Sequence, residues 1–172
     1  MSQLLEQLMY QVGQVFLPIT LVAIVAGFVY ALYALGVFAT MAWQRRRPKA
    51  AVPGYRLLQW AARHPQAGEE EREVAAHRML ETLRVVTRTA PMLGLVATMI
   101  PMGPALKALS SGNLASVSDN LAIAFSAVIM ALITAAITFW IVSVRRRWLA
   151  EELVWLRGNA LAPRRRDLKE AA

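Results

Sequence analysis

The feature that most constrains this chain is a long run of apolar and small residues, 121–144, that contains no charged side chain and ends at Arg145, Arg146 and Arg147. A helix rises about 1.5 Å per residue, so a helix over this run is long enough to cross the roughly 30 Å hydrocarbon core of a bilayer. Arginines directly after such a run are typical of the end of a membrane span. The run therefore predicts a transmembrane helix.

Two further runs lack charged residues, at 16–43 and at 90–106. The first is long enough to cross a bilayer with some tilt. The second is shorter and contains Pro91, Pro101 and Pro104. A proline has no N–H, so the carbonyl one turn before it loses its helical donor and must find another in protein or water. Residues 90–106 are therefore predicted to lie inside an assembly and not against lipid alone.

Small and hydroxyl-bearing residues recur at three- and four-residue steps in the last two runs, which places them on one face of each helix. They are Pro91, Gly94, Thr98, Pro101 and Ala105 in one run, and Ala124, Ala127, Ala131, Thr134, Ala135 and Thr138 in the other. Bulky residues take the opposite face of 121–144: Phe125, Ile129, Leu132, Ile133, Trp140 and Ile141. Membrane helices associate through close packing at small residues. The predicted helix-packing positions are Gly94, Pro101, Pro104, Ala127 and Ala131.

The distribution of charge predicts the orientation. The chain has a formal net charge of +8, and its basic residues concentrate in 44–89 and 145–172, whereas 1–15 and 107–120 carry few charges of either sign. Basic residues accumulate on the cytoplasmic side of a membrane protein. We therefore expect an external N-terminus and a cytoplasmic C-terminus. Nucleic acid is not an expected partner, because no aromatic-interleaved basic module accompanies the charge.

The segments outside the three runs predict helices as well. In 1–15 an external amphipathic segment is expected, with Leu4, Leu5, Leu8 and Val12 on one face. A short helix is predicted over 55–63, broken at His64 and Pro65. A long helix is predicted to begin at the acidic residues from Glu69, which suit a helix N-terminus, and to continue into the second span.

These elements give the predicted fold class, an all-α integral membrane protein. Its three transmembrane helices are 16–43, 90–106 and 121–144, and an external link spans 107–120. Long helical extensions in 44–89 and 145–172 lie in the cytoplasm. The last extension ends in a basic tail from Pro163 that includes Arg164, Arg165 and Arg166. Such a tail is more typical of a solvated end, or of a contact with anionic lipid, than of a specific site.

No pattern indicates an enzyme, a metal site or a cofactor. The chain has no cysteine, and no Gly-rich phosphate loop, catalytic triad or carboxylate pair stands out. His64 and His77 are interpreted as solvated residues and not as metal ligands. The three spans contain no Asp, Glu, His, Lys or Arg, and the relay of protons across a membrane normally needs a titratable group. A chain of this kind that moves protons has to take a carboxylate from a partner.

One stretch of the sequence resembles a known family. Residues 90–106, APMLGLVATMIPMGPAL, resemble the second transmembrane helix of the MotA/TolQ/ExbB proton-channel family. The family's pattern there is a proline, a Leu-Gly pair and a Gly-Thr pair; this chain has Leu93-Gly94, and Ala97-Thr98 at the second pair. The region from 120–126, NLAIAFS, to the arginines is similar to the third helix. Thr98 falls on the family's second-helix threonine. Val128 stands at the third-helix threonine position, and Ile123 stands where some members have an acidic residue. The resemblance covers about a third of the chain.

The resemblance implies a three-span TolQ/ExbB-like subunit of the inner membrane that forms a homo-oligomeric ring, usually a pentamer. The ring surrounds a single-span partner resembling ExbD, TolR or MotB, which supplies an Asp. Together they form a motor or energiser driven by the proton-motive force, with Thr98, Thr134 and Thr138 as the predicted ion-pathway residues. A second interpretation is a non-conducting scaffold subunit of a membrane complex, which Val128 and the small-residue stripes fit equally well. A solute transporter is weaker, because the spans offer no internal repeat or charge.

Overall fold

The computed structural model describes residues 2–46 and 55–170, with side chains at Leu8, 11–46 and 55–158. This part of the chain holds four helices and no strand: α1 (Ser2–Arg46), α2 (Arg56–Arg63), α3 (Glu69–Ser110) and α4 (Leu114–Glu170). Three of them, α1, α3 and α4, are long and apolar enough to cross a membrane. The predicted all-helical, multi-pass architecture is confirmed at this level.

The long helices run without a break from apolar into charged sequence. Helix α3 begins at its three consecutive glutamates and continues through Pro91, Pro101 and Pro104. Helix α1 passes through Pro18 and ends in two arginines. Helix α4 likewise continues from the apolar run into Arg145, Arg146 and Arg147, so the second and third predicted spans each share one helix with charged residues. Residues 47–54, which belong to the segment 44–89 predicted to lie in the cytoplasm, are outside the described residues.

A tight turn joins α3 to α4. Gly112 has a φ of 74°, a left-handed conformation that residues with a side chain rarely adopt. The Asn113 side-chain oxygen then accepts the backbone N–H of Ser116 at 3.1 Å, which caps the start of α4. The turn and the cap lie within 107–120, and the rest of that predicted link is helical. Helices α3 and α4 thus form a hairpin.

The chain divides into two compact units. The first contains Met1–Tyr33 and Val85–Phe139, and its core holds Ile24, Ala97, Ala127 and Ala131. Bulky apolar residues of the same helices are exposed, among them Val22, Val29, Met99, Phe125, Ile129 and Leu132. A surface of this kind is unfavourable in water and suits lipid or a neighbouring protein chain.

The second unit contains Ala34–Arg84 and Trp140–Ala172. Its core holds Leu57, Ala75, Ala76, Leu80 and Leu149, so α2 buries its apolar face against α3 and α4. On its surface, Arg157 bonds to the Glu73 carboxylate and lies 3.7 Å from Glu69. His64 stacks on Trp60 with ring centroids 4.6 Å apart, and His77 Nδ1 lies 3.0 Å from the Glu73 carbonyl oxygen.

The buried faces differ in detail from the predicted stripes. On α3 the buried positions are Ala90, Gly94, Ala97, Pro101 and Ala105, whereas Pro91 is exposed and Thr98 is half-buried. Alanine at 90 and 97 allows neighbouring helices closer than a proline ring or a branched threonine does, so the helix is turned by about one residue from the predicted face. On α4, Ile141 is fully buried and not on the outer face, because it lies seven residues after Thr134 on the same side of the helix.

Candidate functional site

Two of the three predicted ion-pathway residues lie together on the buried face of α4. Thr134 is 1% exposed and Thr138 is 0% exposed. Each hydroxyl donates to the carbonyl one turn earlier, Thr134 to Met130 and Thr138 to Thr134, both at 2.8 Å. Four-residue spacing produces this ladder, because it places one threonine directly above the next. Gly27 of α1 faces the ladder, with room for a Cβ 3.8 Å from the Thr134 methyl group.

A third hydroxyl, from α3, completes the ladder. Thr87 Oγ1 donates to Thr138 Oγ1 at 2.9 Å, which links α3 and α4 by a hydrogen bond between side chains. Sequence reasoning missed Thr87 because it lies between Arg84 and Arg88, before the apolar run begins. The available signal was its spacing, since Thr87 precedes Gly94 by seven residues and shares its face. We call Thr87, Thr134 and Thr138 the threonine ladder.

Thr98 lies apart from the ladder. Its hydroxyl donates to the Leu95 carbonyl at 2.7 Å, in an exposed bond within α3. The side chain sits at the edge of the buried face and is half-buried. A group from outside this chain can therefore approach Thr98, whereas Thr134 and Thr138 are covered by the chain's own helices.

The predicted packing positions bring α3 and α4 into close contact. A methyl group added at Gly94 would lie 3.0 Å from the Ala131 Cβ and 3.7 Å from the Val128 Cα. The contact with Ala131 would be tighter than ordinary van der Waals packing, so the absence of a side chain at Gly94 permits the close approach of α3 and α4. Ala127 and Pro101 are buried as well. Pro104 is half-buried at the edge of the same face.

The second unit contains a charged cluster that sequence reasoning did not find. The Arg45 guanidinium donates to the Glu152 carboxylate, and the other oxygen of that carboxylate accepts the Leu57 backbone N–H at 3.0 Å. Glu152 is only 3% exposed. The guanidinium carbon also lies 4.3 Å from the centroid of the Tyr55 ring and 4.4 Å from that of Trp148, which is cation–π distance. One carboxylate thus connects the end of α1, the start of α2 and the body of α4.

The electrostatics of this cluster keep Arg45 charged. Burial lowers the pKa of Arg45 from its usual value, and the Coulombic attraction of Tyr55 and Glu151 partly offsets that effect. The ordinary pKa of an arginine side chain lies so far above neutral pH that the side chain stays protonated at physiological pH despite this shift. The geometry of the cluster is that of a buried ion pair.

A comparison with models of known protein families shows which family the chain belongs to. The model of the MotA/TolQ/ExbB proton channel family matches residues 61–156, more than half of the sequence. The chain belongs to this family. The match begins in α2 and ends in α4 beyond Glu152, so it includes the threonine ladder, Thr98 and the carboxylate of the charged cluster. Comparisons with curated proteins and with solved structures found no match.

Membership in the MotA/TolQ/ExbB family gives the site its context. Together with the three apolar helices, it makes this chain a multi-pass membrane protein and a subunit of a proton-channel-related membrane complex. The family is one of transport proteins and not of enzymes.

Proposed function

We propose that the chain is the ring-forming subunit, as a homopentamer, of an inner-membrane motor or energiser driven by the proton-motive force. It conducts protons together with a single-span partner resembling ExbD, TolR or MotB, whose Asp supplies the titratable group. Its N-terminus is external and its C-terminus cytoplasmic. Family membership supports the channel role, and the charge distribution supports the orientation.

The observation that supports this proposal most strongly is that the predicted spans contain hydroxyl groups but no charged side chain. The spans 16–43, 90–106 and 121–144 contain no Asp, Glu, His, Lys or Arg. Protons crossing a membrane protein normally move between titratable groups, and threonine hydroxyls can orient water or a carboxylate without exchanging protons themselves at physiological pH. A partner carboxylate that reaches Thr98 therefore supplies the titratable group that the spans lack.

The three hydroxyls are suited to different tasks. Thr98 is half-buried, so a carboxylate from a partner helix can reach it. Thr138 uses its proton on the Thr134 carbonyl and accepts a second bond from Thr87, which leaves it one lone pair. We therefore assign Thr98 the contact with the partner carboxylate. Thr134 and Thr138 line the path from inside the protomer and keep α4 in register with α3.

The test is partner-dependent proton flux in liposomes that contain the Thr98→Val variant. Valine keeps the shape of threonine and removes its hydroxyl, so the ring should assemble while flux falls. A membrane hydrogen bond is worth about 1 kcal/mol, too little for its loss to dismantle an oligomer. Thr40→Val is the matched control, because the Thr40 hydroxyl, like that of Thr98, donates to the carbonyl three residues earlier, here at 2.8 Å. Equal flux in Thr98→Val and wild type would disprove the pathway role of Thr98.

A non-conducting scaffold is the second candidate, and the packing of Val128 favours it. Val128 stands at the family's third-helix threonine position and lies against Gly94, where it fills space between α3 and α4. Val128→Thr separates the two functions. In a channel whose path passes this position, the restored hydroxyl leaves flux unchanged or raises it. A scaffold shows no partner-dependent flux in wild type or in either variant.

A further inference from the structure

Two helices of the second unit pack side by side in the region where their apolar stretches end. Phe38 of α1 stacks on Trp148 of α4 with ring centroids 5.2 Å apart, and it meets Trp140 edge-on at 5.1 Å. Arg45 lies over the Trp148 ring at 4.4 Å. The residues just after the apolar stretch of α1 are therefore beside those just after the apolar stretch of α4.

Three arginines in this region are exposed: Arg46 on α1, and Arg146 and Arg147 on α4. Arg45 is not counted with them, because Glu152 binds its guanidinium. Side chains on a helix lean toward its N-terminus. Both helices enter this region from their apolar stretches, so all three arginines lean back toward the apolar surface. Their long stems allow the guanidinium groups to lie at its border.

Exposed aromatic rings stand on the apolar side of these arginines. Trp43 is 58% exposed and Trp140 is 54% exposed. Trp140 and Arg147 are seven residues apart and share a face of α4, about 10 Å from one another along the axis. Trp43 precedes Arg46 by three residues and lies on a neighbouring face of α1. Each helix thus presents an exposed tryptophan ring and then, further along the chain, an exposed arginine.

We propose that Arg46, Arg146 and Arg147, with Trp43 and Trp140, form a binding site for an anionic phospholipid. The guanidinium groups bind the phosphate, for which their forked donors are well suited, and the tryptophan rings contact the glycerol and acyl region. A lipid matches both halves of this surface, whereas a soluble anion matches only the charged half. The exposed carboxylate of Glu151 lies one turn from Arg147 and opposes its contribution. The site does not depend on proton conduction.

Native mass spectrometry of the purified full-length chain tests the proposal, with phosphatidylglycerol and phosphatidylcholine of identical acyl chains as competing probes. The variant with Arg46, Arg146 and Arg147 all replaced by Gln should lose its preference for phosphatidylglycerol by about tenfold or more, since each basic residue near an anionic surface adds several-fold. Replacement of the same three residues by Lys should retain most of the preference. An unchanged preference in the Gln variant would overturn the site.

A matched control separates position from net charge. Arg56, Arg63 and Arg78 are exposed arginines of the same unit, and their replacement by Gln removes the same charge. This variant should bind phosphatidylglycerol like wild type; an equal loss would show that only net charge matters and would overturn the proposal. Inorganic phosphate at matched ionic strength should displace the lipid no better than chloride, and selective displacement would assign the arginines to a free anion instead.

Discussion

Replacement of Glu152 by Ala is expected to destabilise the second unit strongly. The substitution removes the carboxylate that binds Arg45 and accepts the Leu57 N–H. The side chains of Arg45 and Glu152 are 12% and 2% exposed, so water screens the pair poorly. Loss of one partner of a buried ion pair typically costs about 3–5 kcal/mol, because the other charge stays buried without compensation. The rings of Tyr55 and Trp148 remain over the guanidinium, which favours the lower end of that range.

Thermal unfolding in a mild detergent, followed by circular dichroism, measures the effect. For a chain of this size each kcal/mol lowers the Tm by about 2–4 °C, so Glu152→Ala should lower it by about 6–20 °C. Glu151→Ala is the matched control, because Glu151 is the exposed neighbour, and its Tm should stay within about 2 °C of wild type. Glu152→Gln should fall between the two, since the amide oxygen still accepts the Leu57 N–H.

A double substitution separates the charge from the packing. Arg45→Met combined with Glu152→Leu removes both charges and keeps most of the volume, and such replacements of buried pairs are often neutral or stabilising. The double variant should therefore be more stable than Glu152→Ala. It should stay short of wild type by about 1–3 kcal/mol, because the Leu57 N–H loses its acceptor. A Glu152→Ala protein that unfolds within 2 °C of wild type would refute the buried-pair argument.

Three further predictions concern packing, assembly and orientation. Gly94→Ala should lower the stability of the α3–α4 hairpin by about 1–3 kcal/mol, because the added methyl group would lie 3.0 Å from the Ala131 Cβ. Gly36→Ala is the control and should leave the stability unchanged, because no atom of another helix lies within 4 Å of its added methyl group. The midpoints of denaturation in detergent measure both effects. The purified chain should have the native mass of a closed pentamer, and a stable monomer in mild detergent would contradict the ring. Reporters fused after Trp60 or after residue 172 should read as cytoplasmic, and one inserted near Asn113 should read as external; the reverse pattern would invert the proposed topology.

The local features of the fold could be predicted from the sequence because they depend on short-range patterns. Charge-free runs identified the three long apolar helices, and the broken segment before Glu69 identified α2. Most of the buried face of α4 also followed from spacing, since Ala127, Ala131 and Thr134 lie at three- and four-residue steps, whereas Ile141 was placed on the wrong face. Helix α3 was harder. The predicted face, 91-94-98-101-105, and the observed buried face, 90-94-97-101-105, share three positions. Spacing alone therefore does not distinguish them, and contact with the neighbouring helices determines which one is buried.

The charged cluster could not be predicted, for a different reason. Arg45 and Glu152 are 107 positions apart, and each stands among other charged residues that look alike in the sequence. Only the folded arrangement shows which carboxylate is buried. Thr87 was missed because the arginines around it marked the segment as outside the membrane span. In both cases the deciding information is a contact between helices and not a local pattern.

The long separation between Arg45 and Glu152 also has a consequence for how the protein is made. Ribosomes add about 5–20 residues per second, so α1 is complete for about 5–20 s before Glu152 is synthesised. During that interval the start of α2 has no carboxylate for its Leu57 N–H, and Arg45 has not met the partner that buries its charge. The second unit therefore closes only when the final helix arrives. A chain truncated before Glu152 would display an unfinished charged surface, which is the kind of feature that cellular quality control can recognise.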